Sequence, residues 1–143
     1  MQIETKRLSI RPLQLQDCDA LHESLSAPEV MRFVEPPFDR EQTRRFIETT
    51  GMCAPPHVYA VVEKQTGRLI GHLIWHRYDG KAMELGWLLR RDRWGRGLAT
   101  ELTQAMLARA RSDVIIECVP EHTAVQRIAE KNGFCYAGIA QGL

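Results

Sequence analysis

The feature that most constrains the fold is a strand, an arginine-rich loop and a helix that follow one another between residues 84 and 101. The apolar residues of this region predict a strand over Met83–Leu89. Gly95 and Gly97 then precede a predicted helix over Leu98–Arg109, which carries apolar side chains along one face. A strand followed, after a short loop, by an amphipathic helix is typical of a layered α/β fold, in which helices cover a sheet.

The first half of the chain predicts one strand and several helices before the sheet resumes. Alternating apolar and polar residues indicate a half-buried strand over Lys6–Arg11. Helical segments are predicted from Asp17 through Leu25, around Glu29–Phe33, and from Asp39, where Gln42 completes a capping box. Two further strands, His57–Val62 and Leu69–His76, precede Met83–Leu89, and the turns between them predict an antiparallel meander.

The last third of the chain predicts alternating elements. A strand is predicted over Val114–Val119, and its continuous apolar start is typical of a buried central strand. A helix over Thr123–Lys131 and a last strand over Phe134–Ile139 follow. The predicted order is therefore β-α-α-β-β-β-α-β-α-β. We predict one domain over residues 1–143, a mixed α/β sheet with helices on its faces.

The composition excludes several classes of protein. The chain has 143 residues, of which 44% are hydrophobic and 26% charged, as in an ordinary globular domain. Its net charge of +1 argues against a nucleic-acid or membrane-surface binder. The cysteines, Cys18, Cys53, Cys118 and Cys135, form no CxxC pair, so we expect reduced thiols in a cytoplasmic protein and no zinc site.

The loop before the helix has the properties of a phosphate or pyrophosphate cradle. Its glycines permit positive φ and close backbone approach, and the free N–H groups of a helix start attract an anion. Arg90, Arg91, Arg93 and Arg96 add positive charge. The Walker and dinucleotide-binding patterns do not fit, because Leu98 and Ala99 follow Gly97. The local residues alone equally allow a tight strand-to-helix turn with a solvated basic face.

The segment Trp94–Glu101 resembles the acetyl-CoA loop of the GNAT N-acetyltransferases, whose pattern is Q/R-x-x-G-x-G/A. Trp94 stands in the first place, with Gly97 and Ala99 in the required small positions. The run W-G-x-G-x-A-T-E is similar to the branch of ribosomal-protein alanine N-acetyltransferases. Other segments resemble that branch in the same order: Thr5–Pro12, Asp17–Leu21, Pro28–Phe33, Leu69–Gly71, Glu84–Trp87 and Glu130–Phe134.

This resemblance implies an acetyl-CoA-dependent transfer of an acetyl group to an amine, without a metal. Leu88 and Leu89 are expected to offer backbone groups to the pantetheine arm, as an added strand would. The ribose phosphate is expected to meet Arg90, Arg91 or Arg96. The N–H groups expected to bind the pyrophosphate are those of Gly95, Arg96, Gly97, Leu98, Ala99 and Thr100.

Two residues are candidates for proton transfer. Glu84, on the strand that enters the cradle, is the candidate base, although a salt-bridged or exposed carboxylate is equally consistent with the sequence. His122 stands where the family has an asparagine, Val125 replaces the usual serine, and His122 is a candidate donor to the leaving thiolate or a helix cap. His72 and His76 share a strand face but have no third ligand, so we expect no metal site.

The short C-terminus and the missing family residues leave further possibilities. Relatives continue with another strand, so the final strand is expected to be missing or supplied in trans, for which a homodimer is one solution. The acceptor is expected to be a protein N-terminus or a small-molecule amine. An acyl-CoA sensor without turnover is the alternative function, and nucleic-acid binding through the arginine cluster is a third.

Overall fold

The strands of this protein lie in a single mixed sheet, and helices pack on both of its faces. We describe residues 1–138, using a computed structural model. In chain order, the strands are β1 (Ile3–Glu4), β2 (Leu8–Pro12), β3 (Val58–Glu63), β4 (Leu69–Arg77), β5 (Ala82–Leu89) and β6 (Asp113–Ile115). The helices are α1 (Cys18–Leu25), α2 (Pro28–Met31), α3 (Arg40–Phe46), α4 (Leu98–Arg109) and α5 (Thr123–Lys131). Short turns of helix also cover Leu15–Asp17, Ile47–Gly51 and Arg91–Arg93.

The sheet follows the chain from one edge to the other. Its order is β1-β2-β3-β4-β5-β6, and every neighbouring pair is antiparallel except β5 and β6, which are parallel. The predicted meander of β3, β4 and β5 is confirmed. In its second hairpin, His76 lies opposite Glu84 and Leu73 lies opposite Trp87.

Strand β6 pairs with only the first part of β5. Ala82, Met83 and Glu84 pair with Asp113–Ile115, and the chain then leaves the sheet. Within residues 1–138, no strand therefore pairs with residues 85–89 on the β6 side. This opens a gap in the sheet beside the second half of β5.

The two faces of β5 belong to different cores, because successive side chains of a strand point to opposite faces. Leu85 and Leu89 pack with three buried residues of α4, namely Leu98, Leu102 and Met106. Leu88 packs on the other face, against a core that helices α1 to α3 share; Leu21, Leu25, Met31 and Ile47 belong to it. The strand thus separates the α4 side of the molecule from the side of α1 to α3.

The local sequence signals for helices agree closely with the structure. Helix α4 covers the predicted residues, because its apolar stripe and the glycines before it define both the helix and its start. The capping box is confirmed: Asp39 Oδ1 accepts from the Gln42 N–H at 2.7 Å, and Gln42 Oε1 accepts from the Asp39 N–H at 2.8 Å. In the part of the chain that the structure describes, no helix is long and apolar enough to span a membrane.

Two predicted strands at the end of the chain need correction. The predicted central strand over Val114–Val119 is reduced to the short β6, in which Asp113 is exposed and the other two residues are only partly buried. Val114 and Ile116 do pack against the core, so the apolar run reports burial rather than strand pairing. The last predicted strand is not formed over residues 134–138, and Ile139 lies outside the described residues. The two-residue β1 was not predicted.

The close approach of β4 and β5 at Gly71 gives a test of the sheet. A Cβ on Gly71 would lie 2.0 Å from Leu88 O and 2.9 Å from Leu89 Cα. These distances are too short for a real contact, so the backbone of β4 or β5 would have to move. We expect Gly71→Ala to lower the free energy of unfolding by about 3 kcal/mol in urea denaturation. The control is Gly80→Ala, where a Cβ meets no atom within 4 Å. Equal stability of the two variants would contradict this register.

Candidate active site

The gap beside β5 ends at the N-terminus of α4. Gly97 is the N-cap of this helix, with φ 77° and ψ 11°, and Gly95 has φ 75°. No side chain of the described residues caps the helix, and its first internal hydrogen bond runs from the Glu101 N–H to Gly97 O at 3.0 Å. The N–H groups of residues 98–100 precede that bond and have no partner within the helix. Three backbone donors and the positive end of the helix dipole at this place could hold an anion.

The alternation of hydrogen bonds decides which backbone groups of β5 face the gap. Tyr78 N–H donates to Ala82 O at 2.9 Å, and Arg90 N–H donates to Ile70 O at 2.8 Å. Since hydrogen-bonded and non-bonded pairs alternate between antiparallel strands, the even-numbered residues of β5 direct their backbone groups toward β4. The odd-numbered residues 85, 87 and 89 direct theirs toward the gap.

This geometry corrects one part of the predicted pantetheine site. The backbone of Leu88 faces β4, so it does not border the gap, whereas Leu89 does and Trp87 joins it. Leu89 O already accepts a hydrogen bond from the Trp94 indole N–H at 3.0 Å. Among the described residues, the groups of this stretch that face the gap without a hydrogen bond are the Leu89 N–H and both backbone groups of Trp87.

Two of the loop arginines are engaged by carboxylates. Arg90 forms ion pairs with Glu23 and Asp92, and only 17% of its side chain is exposed. Arg93 forms a bidentate pair with Glu63, at 2.9 and 3.0 Å, and hydrogen bonds from Arg93 lower the pKa of Glu63. The structure therefore directs the predicted phosphate ligand Arg90 into an ion-pair network.

The other two arginines have no such partners. The Arg91 guanidinium lies over the Trp94 ring, 4.6 Å from its centroid, and no described carboxylate forms an ion pair with Arg91 or Arg96. Arg96 precedes the N-cap glycine directly. These two side chains are the loop arginines that no described carboxylate pairs with.

Residues from the N-terminus fix the start of α4, which the sequence did not predict. Glu101 Oε2 accepts from Thr5 Oγ1 at 2.5 Å and from the Arg7 N–H at 2.8 Å. Glu101 Oε1 accepts from Arg7 Nε at 2.7 Å, and Arg7 Nη1 donates to Arg96 O at 2.8 Å. Burial would raise the pKa of Glu101, but these hydrogen bonds outweigh it and the pKa is lowered. We call this set, Thr5, Arg7 and Glu101, the clasp.

Glu84 lies on the opposite face of β5 from α4. It lines a cavity of about 260 Å³ between the sheet and helices α1 to α3, together with Glu35, His57, His72 and His76. Its neighbours on the same face, Gly86 and Leu88, follow the alternation of the strand. The sequence could not assign the face of Glu84, and the structure places it on the side of this cavity.

Glu84 makes one close polar contact, with a histidine. His76 Nε2 lies 3.1 Å from Glu84 Oε1, and His76 Nδ1 lies 3.0 Å from Arg77 O. Burial raises the pKa of Glu84, the charge of Glu117 adds to this rise, and His76 opposes it. The sequence also allowed Glu84 to be a salt-bridged carboxylate. In the structure its carboxylate does have a partner, but that partner is an imidazole inside a cavity.

A second histidine forms part of the floor of the cavity. His72 is 1% exposed, and its burial lowers the pKa to about 4, so the ring is neutral at physiological pH. Its Nδ1 has no hydrogen-bond partner among the described residues, and its ring meets the edge of Phe46 at 5.1 Å. Groups of three or more histidine, cysteine, aspartate or glutamate residues that would hold a metal ion are absent from residues 1–138.

The structure does not bring His122 beside Glu84. It occupies the N-cap position of α5 without a capping hydrogen bond, and its ring stacks on Phe33 with a centroid distance of 4.9 Å. It does not line the Glu84 cavity, and burial lowers its pKa, which disfavours the protonated form that a donor needs. Its role as proton donor stays a prediction from the sequence.

Comparison with known families identifies the fold and the class of enzyme. A model of the acetyltransferase (GNAT) domain matches residues 7–135. The chain belongs to the GNAT family. The predicted class, an N-acetyltransferase, is thereby confirmed, and acyl transfer to an amine is its chemistry.

Individual GNAT relatives agree with this assignment. The chain is 30% identical over 141 residues to the uncharacterized N-acetyltransferase YnaD of Bacillus subtilis, covering 93% of this chain and 82% of that protein. A GNAT acetyltransferase from Bacillus anthracis is similar in structure, with a TM-score of 0.84, 31% identity and coverage of 93% of this chain and 82% of that one. RimL, a ribosomal L7/L12 alpha-N-protein acetyltransferase solved with coenzyme A, shares the fold with a TM-score of 0.81, 20% identity and coverage of 96% and 86%.

The clasp provides a test of how this GNAT chain holds its helix start. We expect Glu101→Gln to lower the free energy of unfolding at pH 7 by about 2 kcal/mol, because charged hydrogen bonds are lost. The lowered pKa of Glu101 means that its contribution is present above the unfolded pKa and lost as pH falls through the folded one. Urea denaturation of both proteins across this range should show the difference shrinking toward acid pH.

The control for this variant is Glu48→Gln. Glu48 is 46% exposed and lies 3.9 Å from Arg44 in a surface pair. Its replacement should change stability by less than about 0.5 kcal/mol. A loss of the same size in both variants would contradict a special role for the clasp.

Proposed function

We propose that this GNAT protein transfers the acetyl group of acetyl-CoA to a primary amine, and that Glu84 takes the proton of the amine. One observation carries the proposal: strand β5 borders the anion site and its gap along one edge, and presents Glu84 to a cavity on one face. Donor and acceptor would thus approach the same strand from different sides. Such an arrangement suits direct attack of an amine on a thioester.

The donor side fits the chemical groups of acetyl-CoA. The N–H groups of residues 98–100 suit a pyrophosphate, with Arg91 and Arg96 as candidates for further phosphate contacts. Trp87 and the Leu89 N–H offer unpaired groups to the amides of the pantetheine arm, in the manner of an added strand. A Cβ on Gly95 would meet no atom within 4 Å, so the backbone there is open to a ligand. When bound, acetyl-CoA supplies an acetyl group activated as a thioester.

The acceptor side favours a positively charged group with an extended body. Glu35 and Glu84 line the cavity, and no lysine or arginine of the described chain does so. The cavity shares Met31, Val34 and Glu35 with a larger groove of about 620 Å³ beside α2. We infer a protein N-terminus as the acceptor, since a polypeptide can follow the groove while its amine enters the cavity. The activity named for RimL supports this choice.

Glu84 suits the role of base because its environment favours proton uptake. Burial raises the pKa of its carboxyl, which brings a glutamate closer to the pH at which a base works well. An ammonium group has no lone pair, so the proton must leave before nitrogen attacks.

A cytoplasmic location, a homodimer and the absence of nucleic-acid partners stay predictions from the sequence.

The anion site is tested by a pair of glycine variants. Gly97 and Gly67 both have positive φ, 77° and 74°, and a Cβ on either meets no atom within 3.5 Å. Both Gly→Ala variants should lose about 1 kcal/mol of stability. Only Gly97→Ala should weaken CoA binding, by about tenfold or more, because its strain falls on the helix start. Calorimetric titration with CoA measures the affinity of both variants, and equal affinities would argue against this site.

The reaction and its base are tested by turnover. We expect amine-dependent release of free thiol from acetyl-CoA with N-terminal peptides, and a stronger response than with lysine or polyamine acceptors. Glu84→Gln should reduce kcat by about 10²–10⁴-fold with CoA affinity unchanged, because only proton transfer is removed. CoA binding without thiol release on any acceptor, and indifference to Glu84→Gln, would favour the acyl-CoA sensor instead.

A further inference from the structure

The contact between His76 and Glu84 contains a constraint on where protons lie. His76 Nδ1 is 3.0 Å from Arg77 O, and a carbonyl oxygen only accepts hydrogen bonds. Nδ1 must therefore carry a hydrogen, and in a neutral imidazole this leaves Nε2 as a bare acceptor. That same Nε2 faces Glu84 Oε1 at 3.1 Å, where an ionised carboxylate is also an acceptor.

Two acceptors at this distance need a proton between them. The pair satisfies its geometry as an imidazolium beside a carboxylate, or as an imidazole beside a carboxylic acid. Both forms hold one proton and have no net charge. Without that proton, the pair carries one negative charge and has an empty position between nitrogen and oxygen.

The pairing of β4 with β5 fixes the contact between His76 and Glu84. His76 and Glu84 are directly opposite in the β4–β5 register, with side chains only 27% and 21% exposed. The His57 ring lies against the His76 ring, with centroids 5.0 Å apart, and restricts how the imidazole turns. All three side chains line the same cavity.

We propose that His76 and Glu84 act as one base, and that the proton taken from the acceptor's ammonium group comes to rest between His76 Nε2 and Glu84 Oε1. The N–H bond of the ammonium breaks, its electron pair stays on nitrogen, and the proton passes to the carboxylate. His76 acts through Glu84, as a second site for the same proton. This inference rests on the proposed transfer to an amine and adds a residue to it.

Other titratable groups surround the pair and act on the same proton. Glu117 and Tyr78 lie near Glu84, and each forms part of its electrostatic surroundings. His72 on β4, His57 before β3 and Glu35 after α2 line the same cavity. None of them bonds to both members of the pair, so the shared proton belongs to His76 and Glu84.

The pH dependence of kcat distinguishes a shared base from a simple neighbour. The lower limb of the profile reports loss of the proton from the base in the ternary complex. An imidazole ordinarily gives up its proton about two pH units above a glutamic acid. If His76 shares the proton, His76→Gln leaves only the carboxyl, and the lower limb should move to lower pH by about one unit or more.

The opposite shift would overturn the proposal. If His76 were only a cation that stabilises the carboxylate, its removal would disfavour ionisation of Glu84 and move the limb to higher pH. An unmoved limb would equally contradict a shared base. His22→Gln is the matched control, because His22 contacts Thr43 on α3 at 3.0 Å and does not line the cavity. The lower limb of the pH profile of this variant should stay at the wild-type position.

A second measurement needs no turnover and separates this inference from the proposed function. The measurement is ¹⁵N NMR of the histidine rings of the wild-type protein, recorded above the pH at which the pair loses its proton. In these spectra His76 should carry its hydrogen on Nδ1. As the pair loses its shared proton, the His76 ring and the Glu84 carboxyl should both respond in the same coupled step. A hydrogen on Nε2, or two independent steps, would overturn the pair even in an active enzyme. The coupled step without any acetyl transfer would instead refute the proposed function.

Discussion

The incomplete pairing of β5 is the constraint on which the whole site depends. Had β6 continued beside β5 past Glu84, a paired strand would fill the gap and the helix start would face a closed sheet. Within residues 1–138, the cost is a row of backbone groups without a strand partner, which proteins normally avoid at a sheet edge. Here the gap lies beside the buried contacts of Leu85 and Leu89 with α4, so the strand stays in place without its second neighbour.

Charge is distributed so that the loop stays ordered while part of its positive charge remains available. Arg93 is held by Glu63, and Arg90 by Glu23 and Asp92, which ties the loop to β3 and to α1. The clasp fixes the other end of the loop through the backbone of residue 96. The helix start is thus rigid before any ligand arrives, and preorganised donors of this kind lose little entropy on binding.

The sequence predicted best what depends on neighbouring residues. The start and end of α4, the turns of the meander and the capping box at Asp39 all follow from local spacing, and all are present. The clasp was missed because Arg7 and Glu101 are 94 residues apart, and no local rule pairs them. The histidine beside Glu84 was missed because the hairpin between the strands Leu69–His76 and Met83–Leu89 was predicted but its register was not, and register decides which side chains meet. The predicted strand over Val114–Val119 failed for the reason that an apolar run measures burial and not hydrogen bonding.

The hydrogen bond from the Trp94 indole to Leu89 O gives the gap a polarity. One lone pair of that carbonyl is occupied, so the last position of β5 offers a donor and a partly used acceptor, while Trp87 offers both a donor and an acceptor. A ligand lying along the strand would therefore meet a stronger acceptor at Trp87 than at Leu89, next to the helix. The Trp94 indole thus makes the two ends of this strand edge unequal as hydrogen-bond partners.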